Sequence, residues 1–499
     1  MSDQGAPLSL RGAAVSGVAW TVLRVVASRL TGSVVFIVLA RLLDPHAFGI
    51  VALASVFVVL ISLLVESGFG EALIQRRELT RTDLDTAFWA NNALSVSFAL
   101  LVLVGADLLS TPFGEPQLAP VLRVLSLVFL CSALASVPQA ILRRDLRFRA
   151  LTIRTIAATT GGGIVGVAMA AAGAGVWSLV GQMIATAVIG TTTLWRTCSW
   201  RPGLAVSRQS LTELTSFSAK VLGERLAFFT SRRADDLLIG LVLGPVALGL
   251  YAAAYRLLLL FTELVIWTIE GVAFPLLSRL QHDAERAKRA FYTITELCCG
   301  LAIPSFLALA VLAPEIIRVT LGPGWDASIP VMQVLAPVGI PQVAIYCNKA
   351  AFNAAGRPDV SLRIAVGSAV ANVIGFVVSV QWGILAVATS YVVCSYLVAP
   401  VSVWALRAVL PIEIGTYLRL FLAPTISGVI MVLCLSTLQA ALGELSDVAV
   451  LAISLPVAAA VYIGMLFLTG RGLLRSVLAH ATALRSRGRG FQHEGATAT

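Results

Sequence analysis

Fourteen apolar runs, each close to the length of a bilayer-crossing helix and separated by short polar connections, leave this chain little choice of surroundings. A helix rises about 1.5 Å per residue, so about 20 mostly apolar residues cross the hydrocarbon core. The runs lie near 15–39, 47–68, 87–108, 119–140, 152–172, 176–196, 214–240, 246–276, 290–312, 330–352, 361–380, 384–406, 417–437 and 448–469. Of 499 residues, 58% are apolar and only 12% are charged. A soluble domain carries roughly 25% charged residues. No connection is long enough for a separate extramembrane domain, so the expectation is an all-α, polytopic integral membrane protein. Only Arg11 precedes the first run, and Arg24 and Arg29 interrupt it. The start therefore does not read as a cleavable signal.

The remaining charge is lopsided, with 36 Lys+Arg against 26 Asp+Glu and a formal net charge of +10. In a soluble protein that excess would favour nucleic acid; here it first reads as a topology code. With the N-terminus inside, alternate connections carry Arg76, Arg77 and Arg81, then Arg143, Arg144, Arg147, Arg149 and Arg154, and so on to the tail, 25 cations in all. The opposite side has two, Arg41 and Arg318. Both termini are expected in the cytoplasm. Nine cations are left within or at the ends of the spans: Arg24, Arg29, Arg123, Lys220, Arg225, Arg232, Arg233, Arg256 and Lys349.

The spans are duplicated. LDPHAFGIVALA (43–54) and LGPVALGLYAAA (243–254) match at an offset of 200 through Leu43/Leu243, Pro45/Pro245, Ala47/Ala247, Gly49/Gly249, Ala52/Ala252 and Ala54/Ala254. Arg149 and Gly175 correspond at an offset of 208 to Arg357 and Gly383. Spans 1, 2, 5 and 6 therefore pair with spans 7, 8, 11 and 12. Both copies start on the same side, a parallel repeat suited to alternating access. The last two spans fall outside it.

A charge in the membrane interior is costly and usually faces water or a partner. The seventh span holds Lys220, Glu224, Arg225, Arg232, Arg233, Asp235 and Asp236, with Arg225 and Arg232 seven apart on one face. Glu224 lies four residues from Lys220 and Asp236 four from Arg232, which suits ion pairing. In the eighth, Arg256, Glu263 and Glu270 repeat every seven residues as one polar stripe. Arg24, Arg29, Lys220, Arg225, Arg232, Arg256 and Lys349 are the candidates for binding an anionic substrate, since arginine can clamp phosphate in bidentate fashion. Arg123, Arg233 and Lys349, near span ends, also fit a snorkelling or paired role.

Enzyme signatures are missing. Seven cysteines are scattered without CxxC spacing, the four histidines do not cluster, and no GxxxxGK[ST] loop occurs. No metal site is expected. Asp83-Leu84-Asp85 matches the DxD of metal-dependent glycosyltransferases, but in an Arg-rich connection it reads as a solvated charged turn. The tail from Arg471 to Arg489 suits anionic-lipid contact or disorder rather than nucleic acid.

The stretches LARLLDPHAFGIVALASVF, GFGEALIQRRELT, DTAFWANN, PQAILRRDLRFRAL, GAGVWSLV, DDLLIGLVLGPVALGLYAAAYRL and FNAAGRPD resemble the Wzx-like polysaccharide flippases of the MOP superfamily, specifically the lipopolysaccharide and exopolysaccharide exporter branch, over about residues 10–410. The resemblance implies fourteen transmembrane helices in two pseudo-twofold-related six-helix lobes around a central cavity, 1–212 and 213–410. Two C-terminal helices (411–470) and a basic cytoplasmic tail (471–499) follow. It implies a flippase, not an enzyme, in the bacterial cytoplasmic membrane, moving undecaprenyl-pyrophosphate-linked oligosaccharide through a cationic cavity. Partners would be that lipid-linked substrate, membrane lipids, and polymerase and other polysaccharide-assembly proteins. No cofactor is expected; H+ or Na+ coupling stays open, with Glu263 and Glu270 as candidates. The sequence departs from the family where Arg233 stands two residues before Asp235, a position the family often gives to Asn. A cation-coupled drug or metabolite exporter usually needs an acidic residue in the first helix, where this chain has Arg24 and Arg29. A lipid II flippase would share the cationic cavity. A polymerase or ligase would need a large outer loop, and 313–329 is too short.

Overall fold

The computed structural model describes residues 10–66, 69–76, 78–281, 283–443 and 445–469, which hold helices and no strand. The chain divides into two compact units, 1–252 and 253–499. Thirteen helices among the described residues are long and apolar enough to cross a membrane. The difference from fourteen arises at one place. Where the seventh and eighth spans are expected, the qualifying stretch among the described residues is Arg233–Glu263.

The first unit contains α1 (Leu10–Leu42), α2 (Pro45–Glu66), α3 (Phe69–Gln75), α4 (Arg81–Ser110), α5 (Leu118–Leu125), α6 (Leu127–Arg144), α7 (Phe148–Ala171), α8 (Val176–Thr197) and the start of α9 (Arg208–Arg279). Inside α9, Gly244 has φ 81° and ψ 177°. That is a conformation an L side chain rarely adopts, and Pro245 restarts the helix after it. This part of α9 packs on α2, with Gly240 against Leu53 and Gly249 against Pro45. Between α7 and α8, small residues let the backbones approach, Gly162 facing Thr186 and Gly166 facing Ser178.

The Asp83-Leu84-Asp85 turn is not solvated: both carboxylates are buried at 1% exposure. Thr80 and Asp83 form a reciprocal capping box at the start of α4, and Arg76 lies 3.2 Å from Asp83. Asp85 accepts a hydrogen bond from the Gly203 N–H (3.0 Å), Thr86 accepts from Ser207 N–H (3.0 Å), and Trp89 donates to the Gly203 carbonyl (2.7 Å). The acidic pair thus caps one helix and fastens the connection leading to α9. Its charge is satisfied by backbone N–H groups, which is why it tolerates burial.

The second unit holds the rest of α9, α10 (Ala284–Val311), α11 (Ala313–Thr320), α12 (Ile329–Leu335), α13 (Gly339–Ala354), α14 (Pro358–Ser379), α15 (Ile384–Leu406), α16 (Ile414–Ala441) and α17 (Asp447–Thr469). The two C-terminal helices are integral to it. Met431 and Leu435 of α16 pack with Ala458, Tyr462 and Leu466 of α17 and with Leu307, Ala308 and Val311 of α10. Buried polar links tie them in: Tyr462 donates to the Gly300 carbonyl (2.7 Å), and Tyr417 donates to Asn348 (3.2 Å), which itself donates to Ser402 (3.0 Å).

The duplication is visible in the turns. The segment before α7 closes with Arg147 N–H to Leu142 carbonyl, and the segment before α14 with Arg357 N–H to Phe352 carbonyl, both 2.9 Å. Leu146 (φ 54°) and Gly356 (φ 71°) occupy the same left-handed position. The backbone therefore equates Arg147 with Arg357, an offset of 210 rather than 208. Gly175 and Gly383, which precede α8 and α15, keep the offset of 208 and both have positive φ.

Candidate functional site

The two copies of the 43–54 pattern pack on each other. A Cβ built on Gly49 would overlap the Pro245 carbonyl and lie 2.9 Å from the Pro245 Cα. One built on Gly249 would overlap the Pro45 carbonyl and lie 3.0 Å from the Gly49 nitrogen. The contact is reciprocal, glycine of each copy against proline of the other. Around it Ile50, Leu53, Ala54 and Leu248 are fully buried, and Asp44 caps the Ala47 N–H at 2.8 Å. Backbone touches backbone here, which only glycine permits.

Nine residues before Pro245 an acidic pair ends. Asp235 and Asp236 on α9 are 7% and 8% exposed. Tyr251 donates to Asp235 Oδ2 (3.1 Å), Asp236 N–H donates to Asp235 Oδ1 (3.0 Å), and Arg233 donates to Asp236 Oδ2 (2.7 Å). Asp236 pairs with Arg233, three residues away; the expected Arg232–Asp236 pair involves a side chain outside the described set. Arg233 is the one arginine bonded to the pair among the described residues.

The expected binding residues fall into three groups. Arg24 is half-buried and Arg29 exposed on α1; five residues apart, they sit on different flanks of the helix. Lys220, Arg225, Arg232 and Glu270 lie in the helical backbone of α9, with side chains outside the described set. The suggested Lys220–Glu224 pair lies outside it too. In the second unit, Arg256 and Lys349 are exposed and Glu263 half-buried. Arg29, Arg256, Glu263 and Lys349 each have an interaction partner. Arg225 and Arg232 do share one continuous helix, and so do Arg256, Glu263 and Glu270, so the seven-residue spacings hold as helical stripes.

Sequence spacing missed Arg154. It counts with the loop cations when the fifth span begins at 152, but α7 begins at Phe148, which carries Arg154 into the second turn. There it donates to Gln139 of α6 at 2.8 Å. The turn closure at Arg147 is the signal that marks the earlier start. Arg149, by contrast, stacks on Trp20 of α1 at 5.8 Å.

These helices define a multi-pass membrane protein with the MOP-superfamily fold. The structure matches that of the lipid II flippase MurJ in an inward closed conformation with a TM-score of 0.70 at 14% identity, covering 92% of this chain and all of that one. It matches an inward-facing multidrug resistance MATE family transporter with a TM-score of 0.60 at 16% identity, covering 78% of this chain and 98% of that one. Within that fold, the chain belongs to the polysaccharide biosynthesis protein family, which matches residues 38–330 and so contains both crossing glycines. Relatives include the succinoglycan biosynthesis transport protein ExoT of Rhizobium meliloti (strain 1021), 29% identical over 60% of this chain and 60% of its own length. The match therefore spans less than two thirds of that relative. Others are the lipopolysaccharide biosynthesis protein WzxC of Escherichia coli (strain K12), 26% identical over 72% and 73%, and the teichuronic acid biosynthesis protein TuaB of Bacillus subtilis (strain 168), 24% identical over 82% and 86%.

Proposed function

We propose that this protein flips undecaprenyl-pyrophosphate-linked oligosaccharide repeat units across the bacterial cytoplasmic membrane, by alternating access along a cationic path, for surface polysaccharide assembly. The observation that carries the reading is the family match across a duplicated chain whose copies meet at Gly49 and Gly249. A phosphorylated headgroup cannot cross hydrocarbon unaided, and basic side chains in a hydrated path lower that barrier. Arg24, Arg29, Lys220, Arg225, Arg232, Arg256 and Lys349 are the residues assigned to it. Both termini face the cytoplasm in this reading, and the polymerase that elongates the glycan is a partner. Coupling to H+ or Na+ belongs to the same proposal. Glu263 and Glu270 remain its candidates, and the Asp235–Asp236 pair adds a buried acidic site on the part of α9 before Gly244. Fold likeness at 14–16% identity does not favour a lipid II flippase or a drug exporter over this reading. The test is polymer output from a deletion strain complemented with Arg24→Ala, Arg225→Ala or Arg256→Ala at equal membrane level. Each is expected to abolish export; wild-type output from all three refutes the cationic path.

A further inference from the structure

A cavity of about 210 Å³ lies inside the first unit, among α3, α6, α7 and α8. Ser132, Ser136, Gln139 and Arg143 line it from α6, Arg154 from α7 and Thr191 from α8. The four α6 positions recur at spacings of three and four, so they form one face about 17 Å long. Arg143, in the last turn of α6, is exposed, and Arg154 on α7 is half-buried. Ala135 and Ala187 are the small side chains that leave the space.

The lining is rich in donors. Gln139 accepts from Arg154 through its amide oxygen (2.8 Å), which leaves its N–H₂ to donate. With two guanidinium groups against the single carboxylate of Glu71, the cavity carries net positive charge. Ser136 of the lining also accepts from Asn91 on α4, which is 0% exposed (2.9 Å). An occupant that offers acceptors suits the two guanidinium groups and the Gln139 N–H₂.

We propose that this cavity is a binding site for a phosphate-class oxyanion, held by Arg154 and Arg143. An apolar occupant would strand the polar lining, and a metal cation would meet two arginines. At about 30 Å³ per water the space holds roughly seven waters. That admits one phosphate or diphosphate group with some hydration and excludes a whole lipid-linked glycan. The anion is either free in solution or the phosphoryl end of a lipid carrier. The lipid-carried form rests on the proposed function; the free form does not.

The experiment uses the full chain in nanodiscs. Its apparent melting temperature is followed against sodium phosphate or sodium pyrophosphate, with sodium chloride as the ionic-strength control, and in nanodiscs doped with undecaprenyl diphosphate or undecaprenol. A saturable upward shift is expected with a phosphate-bearing probe and not with chloride or undecaprenol. Arg154→Gln should weaken the apparent affinity at least tenfold and Arg154→Lys restore part of it. Ala187→Met, which fills the space and keeps the charge, should remove the response, and Arg318→Gln in the other unit should leave it intact. Should Arg154→Gln fail to fold, Arg143→Gln and Ala187→Met carry the comparison. A response to the free anions or to undecaprenyl diphosphate alone supports the site and assigns its source. No saturable response to any phosphate probe, or an undiminished response in Ala187→Met, overturns it. Anion binding without polymer export would refute the flippase reading alone, and export without anion binding would refute this site alone.

Discussion

Replacing Gly49 or Gly249 by alanine adds one methyl group at a place where two backbones already touch. From Gly49 the new Cβ would sit 2.9 Å from the Pro245 Cα and overlap its carbonyl; from Gly249 it would sit 2.9 Å from the Pro45 carbonyl carbon and 3.0 Å from the Gly49 nitrogen. Carbon atoms in contact need about 3.5–4.0 Å. The backbones must part by at least about 0.6 Å, and overpacking of that kind costs about 1–3 kcal/mol per site. Gly32 of α1 and Gly367 of α14 are the controls, because a Cβ on either meets no atom within 4 Å. In those helix interiors alanine is favoured over glycine by about 0.5–1 kcal/mol. The same chemical change should therefore lower stability at 49 and 249 and leave it equal or higher at 32 and 367. At about 2–4 °C per kcal/mol for a unit of 150–250 residues, the two classes should differ by at least about 3 °C in a thermal-unfolding assay of purified protein. Equal melting temperatures for Gly49→Ala and Gly32→Ala would show that the crossing is not tightly packed, and the reasoning would fall.

Two other perturbations follow from backbone geometry. Leu146 holds φ 54° in an exposed turn, so Leu146→Gly should stabilise by about 1 kcal/mol, read as a rise in melting temperature; a fall would mean its side chain matters more than its conformation. Asp85→Ala removes the acceptor of the Gly203 N–H and strands a buried donor, at a cost of about 1–3 kcal/mol, so hydrogen–deuterium exchange at Gly203 should accelerate. Unchanged exchange there would place the fastening elsewhere, in Thr86 and Trp89.

Much of the architecture is legible because bilayer-crossing helices leave little else for apolar runs to form. The 43–54 and 243–254 copies are recognisable for a steric reason: a close crossing demands glycine at the same step after proline in both. The second echo was harder. Matching arginines by type aligned Arg149 with Arg357, whereas the backbone aligns Arg147, because the left-handed position is Gly356 in one copy and Leu146 in the other. A leucine gives no sequence sign of positive φ. Long-range partners were invisible for the same kind of reason. The Thr80–Asp83 box is local, but the burial of Asp85 depends on Gly203, more than a hundred residues on. The candidate cations were visible by composition, and their spacing sets their stripes on α9, yet the Arg233–Asp236 bond, at a spacing of three, was not singled out by it.

The crossing of Gly49 with Pro245 and of Gly249 with Pro45 has the form of an isologous interface, in which residue i meets residue j and j meets i. Such a contact is self-complementary, so a shift of either turn is felt by the backbone of the other copy. The step beside it is free to differ, since Asp44 and Gly244 occupy matching positions. Each glycine is held to its size by the carbonyl that the other copy presents.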